Sequence, residues 1–351
     1  MEVLASRFSY DAHERYPRRE TLGGVSVRRC GLFAVGRRGL FLRALEALSF
    51  HSAVFFRLLF ARRPDVVVSL TSPPMIFWTV SLACRLRGFP FEIWSMDIYP
   101  EVAFASGVLS ERSLAGRVLS GMSRRAYRRA RRVYALSGRM ASRLAEKGVS
   151  PERIEVRENW ALGGVRRVPP SENAFIREHG LDGKRVVLYS GNLGKGHSFE
   201  PLIGAAAALD SEPAARDVLF LIVGGGARLA ETVERVRSLG LRNVRFLPYQ
   251  PRERLAEVLS AASFHYVTLR DEFEGLIEPC KIYGILAAGG YVLFDGPPES
   301  HIAALIRDRG RGRVARTASR RRLTSIVTRS RCQSARVSEG SPPADSMLKG
   351  S

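Results

Sequence analysis

Two periodicities take turns along this chain. Short apolar runs rich in Val, Ile, Leu and Phe read as buried strands, and between them apolar residues recur every three or four positions, as on one face of a helix. Residues 25–30 predict a strand. Residues 40–60 predict a helix, with Leu42, Leu45, Leu48, Phe55, Leu58 and Leu59 at helical spacing. Val66, Val67 and Val68 centre a strand over 65–70, closed by the turn Thr71, Ser72, Pro73, Pro74. Helices follow over 75–86, 113–131 and 138–147, and strands over 89–94, 132–136 and 154–157. Residues 161–184, rich in Gly, Pro and charge, interrupt the pattern. It then restarts, with strands over 185–189, 218–223, 244–246, 263–267 and 291–294. Helices are predicted over 200–209, 228–239, 254–262 and 282–288. Strand–helix alternation of this kind predicts an α/β fold with parallel sheets covered by helices. Two such series joined by a linker leave a cleft between domains, where ligands bind at the carboxyl ends of strands. The expected division is residues 1–164, a linker over 165–184, residues 185–306, and a basic low-order tail over 307–351.

A hydrophobic content of 45% in 351 residues suffices for two cores and excludes an intrinsically disordered protein. No apolar run reaches the ~18 residues of a membrane span, and residues 1–10 do not read as a secretory signal. Cys30, Cys84, Cys280 and Cys332 lie far apart, as expected of a reduced, cytoplasmic setting, and form no zinc pattern. The six histidines make no metal-binding spacing, so no metal is expected. The formal charge is +21, but residues 307–351 hold twelve Lys/Arg against three Asp/Glu. The rest is a moderately basic body suited to an anionic membrane face, a phosphorylated substrate or nucleic acid.

Candidate chemistry gathers at predicted strand ends. Gly191, Asn192 and Gly194 fall in a loop after a strand, where glycines let backbone N–H groups approach a phosphate and Lys195 could neutralise it. A plain tight turn explains the same residues. Gly224 and Gly225 close the next strand. Residues 271–289 run from an acidic loop into a helix of small residues. Glu274 could bond sugar hydroxyls and Lys281 could reach a phosphate, though acidic residues ahead of a helix also suit its dipole. Asp97 follows a strand at its carboxyl end, as a base toward a hydroxyl or as a cap of the next helix. Residues 112–139 contain nine arginines. With few aromatics and no reading motif, a solvated or membrane-facing helix explains them better than nucleic-acid binding. Phe50, Phe55, Phe56 and Phe60, with Arg57, Arg62 and Arg63, form either a membrane-contact patch or part of the core.

Seven stretches in order resemble glycosyltransferase family 4, in its bacterial O-antigen, capsule and exopolysaccharide branch. They are WSMDIYPE (94–101), ALS (135–137), ENW (158–160), YSGNLG (189–194), VGGG (223–226), NVRFLPY (243–249) and EGLIEPCKIYGILAAG (274–289). The resemblance implies two Rossmann-like domains facing a cleft (the GT-B fold) and a nucleotide diphosphate sugar, UDP-linked, as co-substrate without further cofactor. It also implies retention at the anomeric carbon and a polyprenyl-diphosphate-linked or growing glycan acceptor, on the inner face of the plasma membrane. Carried over by position, Gly191, Asn192, Gly194, Lys195, Gly224, Gly225, Pro248, Glu278 and Lys281 would contact the donor. Asp97, Glu101 and Glu274 would be the catalytic carboxylates.

The pattern departs from the family in places. Leu276 and Gly284 stand where paired glutamates fall, Cys280 stands where Ser is common, and Gly290 and Tyr291 replace a basic residue and Pro. The resemblance also places a strand, glycine loop and helix ahead of the strand at 2–5, and helices after Ile306. A late start codon and a frameshift near 307–313 are the matching expectations. An inactive remnant is the alternative function, followed by a basic nucleic-acid-binding protein and an epimerase of the same fold.

Overall fold

The computed structural model describes residues 1–8, 15–31, 40–315 and 320–329. They form two compact units. One comprises residues 1–158 together with Gly275–Glu278, and the other residues 159–274 with the chain from Pro279 onward.

In the first unit the order is β1 (Glu2–Ser6), β2 (Arg19–Leu22), β3 (Val25–Cys30), α1 (Leu40–Leu59), β4 (Val67–Leu70), α2 (Ile76–Arg87), β5 (Phe91–Ser95), α3 (Glu101–Ala105), α4 (Leu114–Arg129), β6 (Arg132–Ala135), α5 (Gly138–Glu146) and β7 (Ile154–Val156). The strands fall in two sheets. β1 runs parallel to β3, which pairs antiparallel with β2, and β4-β5-β6-β7 form an all-parallel sheet. Two of the helices start at a serine that caps them. Ser113 Oγ accepts from Gly116 N at 3.0 Å ahead of α4, and Ser137 Oγ accepts from Met140 N at 3.1 Å ahead of α5. Small residues on the buried face of α4 (Gly116, Ser123, Ala126) let it lie close to the core, where Tyr127 stacks 5.0 Å from Phe77. The phenylalanines of α1 divide: Phe50 and Phe55 pack on this core, while Phe56 and Phe60 are exposed.

Segment Gly275–Glu278 is stitched to the first unit by backbone bonds. Ile98 N–H donates to the Leu276 carbonyl at 2.9 Å, Asp97 and Ile277 form an antiparallel bridge, and Leu276 sinks into the core.

The second unit contains α6 (Ala174–Glu178), β8 (Arg185–Asn192), α7 (Glu200–Asp210), β9 (Val218–Gly225), α8 (Leu229–Ser238), β10 (Val244–Leu247), α9 (Leu255–Ser260), β11 (Phe264–Thr268), α10 (Lys281–Ala287), β12 (Val292–Asp295), α11 (His301–Arg309), β13 (Gly312–Ala315) and α12 (Arg320–Arg329). Its six strands form one parallel sheet in the order β10-β9-β8-β11-β12-β13. Every residue of β9 is buried, as a central parallel strand covered on both faces requires.

Two expectations are corrected here. The stretch 165–184 is not a bare linker: Asn173 caps α6 and its amide donates to the Glu257 carbonyl at 2.8 Å, which ties the segment to the second unit. The chain beyond Arg307 is not all low-order tail. β13 pairs with β12 over four residues, and α12 lays Leu323 and Val327 against the core beside α7. Arg185 fastens it, donating to the Val327 carbonyl at 2.6 Å. Residues 316–319 and 330–351, with Cys332 and the Gly340–Pro343 breaker, lie outside the described residues.

Candidate functional site

The carboxyl ends of β8 and β9 carry glycines whose backbone disfavours a side chain, most tightly at Gly224. Gly191 and Gly224 face each other in register across the two strands. Gly224 has φ +140°, and a Cβ there would sit 2.1 Å from the Gly191 carbonyl oxygen. At Gly226 a Cβ would meet Asn192 Oδ1 at 2.4 Å and the Leu193 backbone at 2.7 Å. The two loops are pinned: Leu193 N–H donates to the Gly225 carbonyl at 2.7 Å and Arg228 N–H to the Leu193 carbonyl at 3.0 Å. Tyr249 hydroxyl donates to the Gly225 carbonyl at 3.0 Å. Tyr249 was missed by sequence reasoning, although it closes the NVRFLPY stretch, where a polar-tipped aromatic after Pro was the available signal.

Lys281, the first residue of α10, points its ammonium at this loop pair. Its Nζ lies 3.7 Å from the centroid of the Tyr189 ring. A Cβ on Gly191 would be 3.2 Å from it. The ammonium is buried and has no hydrogen-bond acceptor among the described residues. Burial holds it down to a pKa of about 7, with the neighbouring Cys280 offsetting only part of that shift, while the ring face of Tyr189 lies against the ammonium. Beside it, His197 Nδ1 lies 2.7 Å from the Thr268 carbonyl oxygen. That oxygen has no proton to give, so Nδ1 donates and Nε2 keeps its lone pair. Burial first, then the charge of Lys281, push His197 down to about 3, and the ring is neutral.

The structure thus brings Gly191, Asn192, Gly194, Gly224, Gly225 and Lys281 together. Lys195 is exposed, and its carbonyl accepts from Arg270 at 3.2 Å. Pro248 is exposed, next to Tyr249. Glu274 is half-buried and follows the single turn Asp271–Phe273. Glu278, expected among the donor ligands, belongs to the segment Gly275–Glu278 of the first unit. Its Oε1 accepts from Ser137 Oγ at 2.5 Å, within the first unit. The backbone stitching of its own segment carries it there.

In the first unit, Asp97 sits after β5, with its N–H donating to Thr71 Oγ1 at 3.0 Å. It does not cap the next helix, because the cap position of α3 is Pro100. Burial raises its carboxyl to about 6. Glu101, expected as a catalytic carboxylate, opens α3 in the same unit. It is ion-paired with Lys147, whose ammonium lies 5.8 Å from the Tyr127 ring centroid, and Tyr127 hydroxyl bonds Ser95 Oγ at 3.0 Å. Among the described residues no His, Cys, Asp or Glu group is arranged to hold a metal ion.

Residues 1–160 match the glycosyl transferase 4-like domain family and residues 171–278 the glycosyl transferases group 1 family. The chain belongs to the family 4-like glycosyltransferases. This glycosyltransferase is 29% identical over 286 residues to WcaI of Escherichia coli K12, named as a glycosyl transferase of colanic acid biosynthesis. That match covers 79% of this chain and 68% of WcaI. It is 29% identical over 253 residues to the glycosyltransferase WbjE of Pseudomonas aeruginosa, covering 72% of this chain and 62% of WbjE. Among solved structures the glycosyltransferase is similar to HepE of Anabaena, crystallised with UDP and glucose. There the TM-score is 0.64 at 18% identity, over 87% of this chain and 75% of HepE. It is also similar to sucrose-phosphate synthase of Thermosynechococcus elongatus, with TM-score 0.66 at 17% identity, over 96% of this chain and 80% of that one. At such identities these structures establish the fold, two Rossmann-like domains of GT-B type.

Proposed function

We propose that this glycosyltransferase moves a sugar, with retention at the anomeric carbon, from a UDP-linked donor to a lipid-diphosphate-linked or growing glycan acceptor of the cell surface. The observation that carries the donor half is the Lys281 ammonium, buried without an acceptor among the described residues beside the glycine turns that end β8 and β9. As the bond from the anomeric carbon to the diphosphate oxygen breaks, the leaving oxygen gains charge, and a protonated Lys281 stabilises it. The peptide N–H groups around Gly191 and Gly224 add neutral donors. For retention the acceptor oxygen bonds the anomeric carbon on the face the diphosphate vacates, and Asp97 takes the proton of that hydroxyl, for which a carboxyl raised to about 6 is better matched than an ordinary one. The UDP and glucose in HepE and the colanic acid role in the name of WcaI support the donor and pathway class. No metal is required by this reading. The acceptor is lipid-borne and the enzyme works at the cytoplasmic face of the membrane as a peripheral protein. Among the described residues no helix is long and apolar enough to cross one.

The test is donor binding by calorimetry against UDP-, GDP- and dTDP-sugars, followed by transfer assays and NMR of the product's anomeric configuration. K281M is expected to weaken donor binding by about 2 kcal/mol, roughly thirtyfold, the scale of a charge-assisted contact. Folded protein that binds no nucleotide sugar, or K281M that binds as well as the parent, rejects the reading.

A further inference from the structure

The turn that follows β4 reaches across to the proposed base. Leu70 and Trp94 are the last paired residues of β4 and β5, and the ladder between these strands stops there. Beyond that pair, the N–H groups of Met96 and Asp97 go to one side chain. Both donate to Thr71 Oγ1, at 3.1 and 3.0 Å. Thr71 is completely buried. Its oxygen has two lone pairs, and these two bonds fill them. Its proton has no acceptor among the described residues. Valine has the same shape and would strand no hydroxyl proton here, so packing alone does not call for threonine. On its other flank the same stretch is held by backbone. Asp97 bridges Ile277, and Ile98 N–H donates to the Leu276 carbonyl at 2.9 Å. Ser123 of α4 donates its hydroxyl to the Tyr99 carbonyl at 2.7 Å. Of the two side chains that hold this stretch, Thr71 is the one that bonds Asp97 itself.

We infer that Thr71 is a positioning residue for transfer: its hydroxyl oxygen fixes the backbone at Met96 and Asp97 and so aims the Asp97 carboxylate at the acceptor hydroxyl. The inference rests on Asp97 as the base, as proposed above. The torsion between the two bonded nitrogens is ψ of Met96. Holding both to one atom therefore fixes the peptide plane from which the Asp97 residue departs. A base acts only within hydrogen-bond reach of the proton it takes, and a misplacement of ~1 Å costs about a hundredfold in rate. Serine at 71 keeps the oxygen and loses a methyl group. Valine keeps the shape and loses the oxygen.

T71V and T71S separate the oxygen from the volume. Hydrogen exchange of the full chain without ligand, followed by NMR, should find the Met96 and Asp97 amides exchanging about tenfold faster in T71V, and at the parental rate in T71S. The Asp97 carboxyl carbon, assigned as the signal absent from D97N, should titrate near 6 in the parent and in T71S. In T71V it should move toward the ordinary 3.8, as water reaches a turn no longer held. Glu101 and Tyr127, the titratable groups near it, keep their own partners Lys147 and Ser95 in both variants. In transfer from the nucleotide sugar selected by calorimetry, T71V should lower kcat by roughly ten- to a hundredfold with donor affinity unchanged, and T71S should keep it. A role in folding alone would instead lower melting temperature, donor affinity and kcat together. If T71V does not fold, T71A takes its place, since water can then reach the two N–H groups. The inference is overturned if both amides stay protected in the variant without the oxygen, or if Asp97 titrates there as in the parent. Parental kcat in that variant, with D97N inactive, rejects the inference alone. Transfer that survives D97N rejects Asp97 as the base, whatever Thr71 does.

Discussion

Lys281 and Asp97 set the pH behaviour of the enzyme from opposite sides. The unfolded chain keeps the Lys281 proton to about 10.5, while the folded protein releases it near 7. The unfolded state therefore binds more protons in that window, and stability rises with pH across it. K281M should flatten this rise in melting temperature measured from pH 7 to 10. A bound diphosphate reverses the preference by favouring the ammonium. Donor affinity should then fall as pH climbs above 7, and calorimetry at pH 8 in two buffers of different ionisation enthalpy should show proton uptake on binding. Asp97 keeps its proton to about 6 against an ordinary 3.8, so its burial costs stability increasingly from pH 3.8 to 6. Activity should rise through pH 6 as it ionises, and D97N should lose transfer while still binding donor. A rate profile without a rising limb near 6 would remove Asp97 from the chemistry. Gly290 shows how one side chain governs another. A Cβ there would lie 2.6 Å from the His265 ring and 2.8 Å from Ile285 Cγ2. The basic residue expected after Gly289 is thus excluded by the buried His265 of β11. G290A should cost about 1–3 kcal/mol. H265A should give much of that back in a double-mutant cycle, and additive losses would contradict the packing account.

The elements were legible where one period ruled. The strands at 185–189, 218–223 and 263–267 and the helix ahead of Arg131 lie where their apolar spacing puts them, because buried parallel strands and amphipathic helices leave strong patterns. The glycine loops end β8 and β9 and Lys281 opens α10, positions that the strand ends and the helix start mark in the sequence. The final elements were not legible. β13 offers Val314 and Ala315, and α12 places Leu323, Ile326 and Val327 among arginines, so tertiary packing rather than pattern makes them. The route of Glu278 to Ser137 was equally hidden, since nothing local to 275–278 announces pairing with Asp97 and Ile98. Val327 is 1% exposed against the core shared with α7. V327A should therefore cost about 2 kcal/mol by urea melting, the lower range for a buried aliphatic. A loss under 0.5 kcal/mol would mean that α12 is not an integral part of the second unit.

Each unit encloses its own core, one built around Phe77, Ile93 and Tyr127 and the other around Tyr189, Phe220 and Tyr266. The chain passes from one to the other at 158–159 and again on either side of Gly275–Glu278. Separate cores predict separate unfolding, because each unit has a hydrophobic core built from its own residues. Calorimetry of the full chain should give two transitions that respond to different perturbations. I93V, in β5, should lower one by about 1 kcal/mol and leave the other in place, while V327A does the reverse. A UDP-sugar at 100 times its dissociation constant should raise only the transition that V327A lowers, by about 2.7 kcal/mol, since ligand stabilises the unit that holds it. The Ser137–Glu278 bond adds a further control. S137A leaves Lys281 untouched, so it should loosen the docked segment and shift the I93V-sensitive transition without weakening donor binding in proportion. A single endotherm displaced as a whole by donor would mean that the four-residue excursion welds both cores into one cooperative body. Donor affinity and the first unit's stability would then have to change together in every variant.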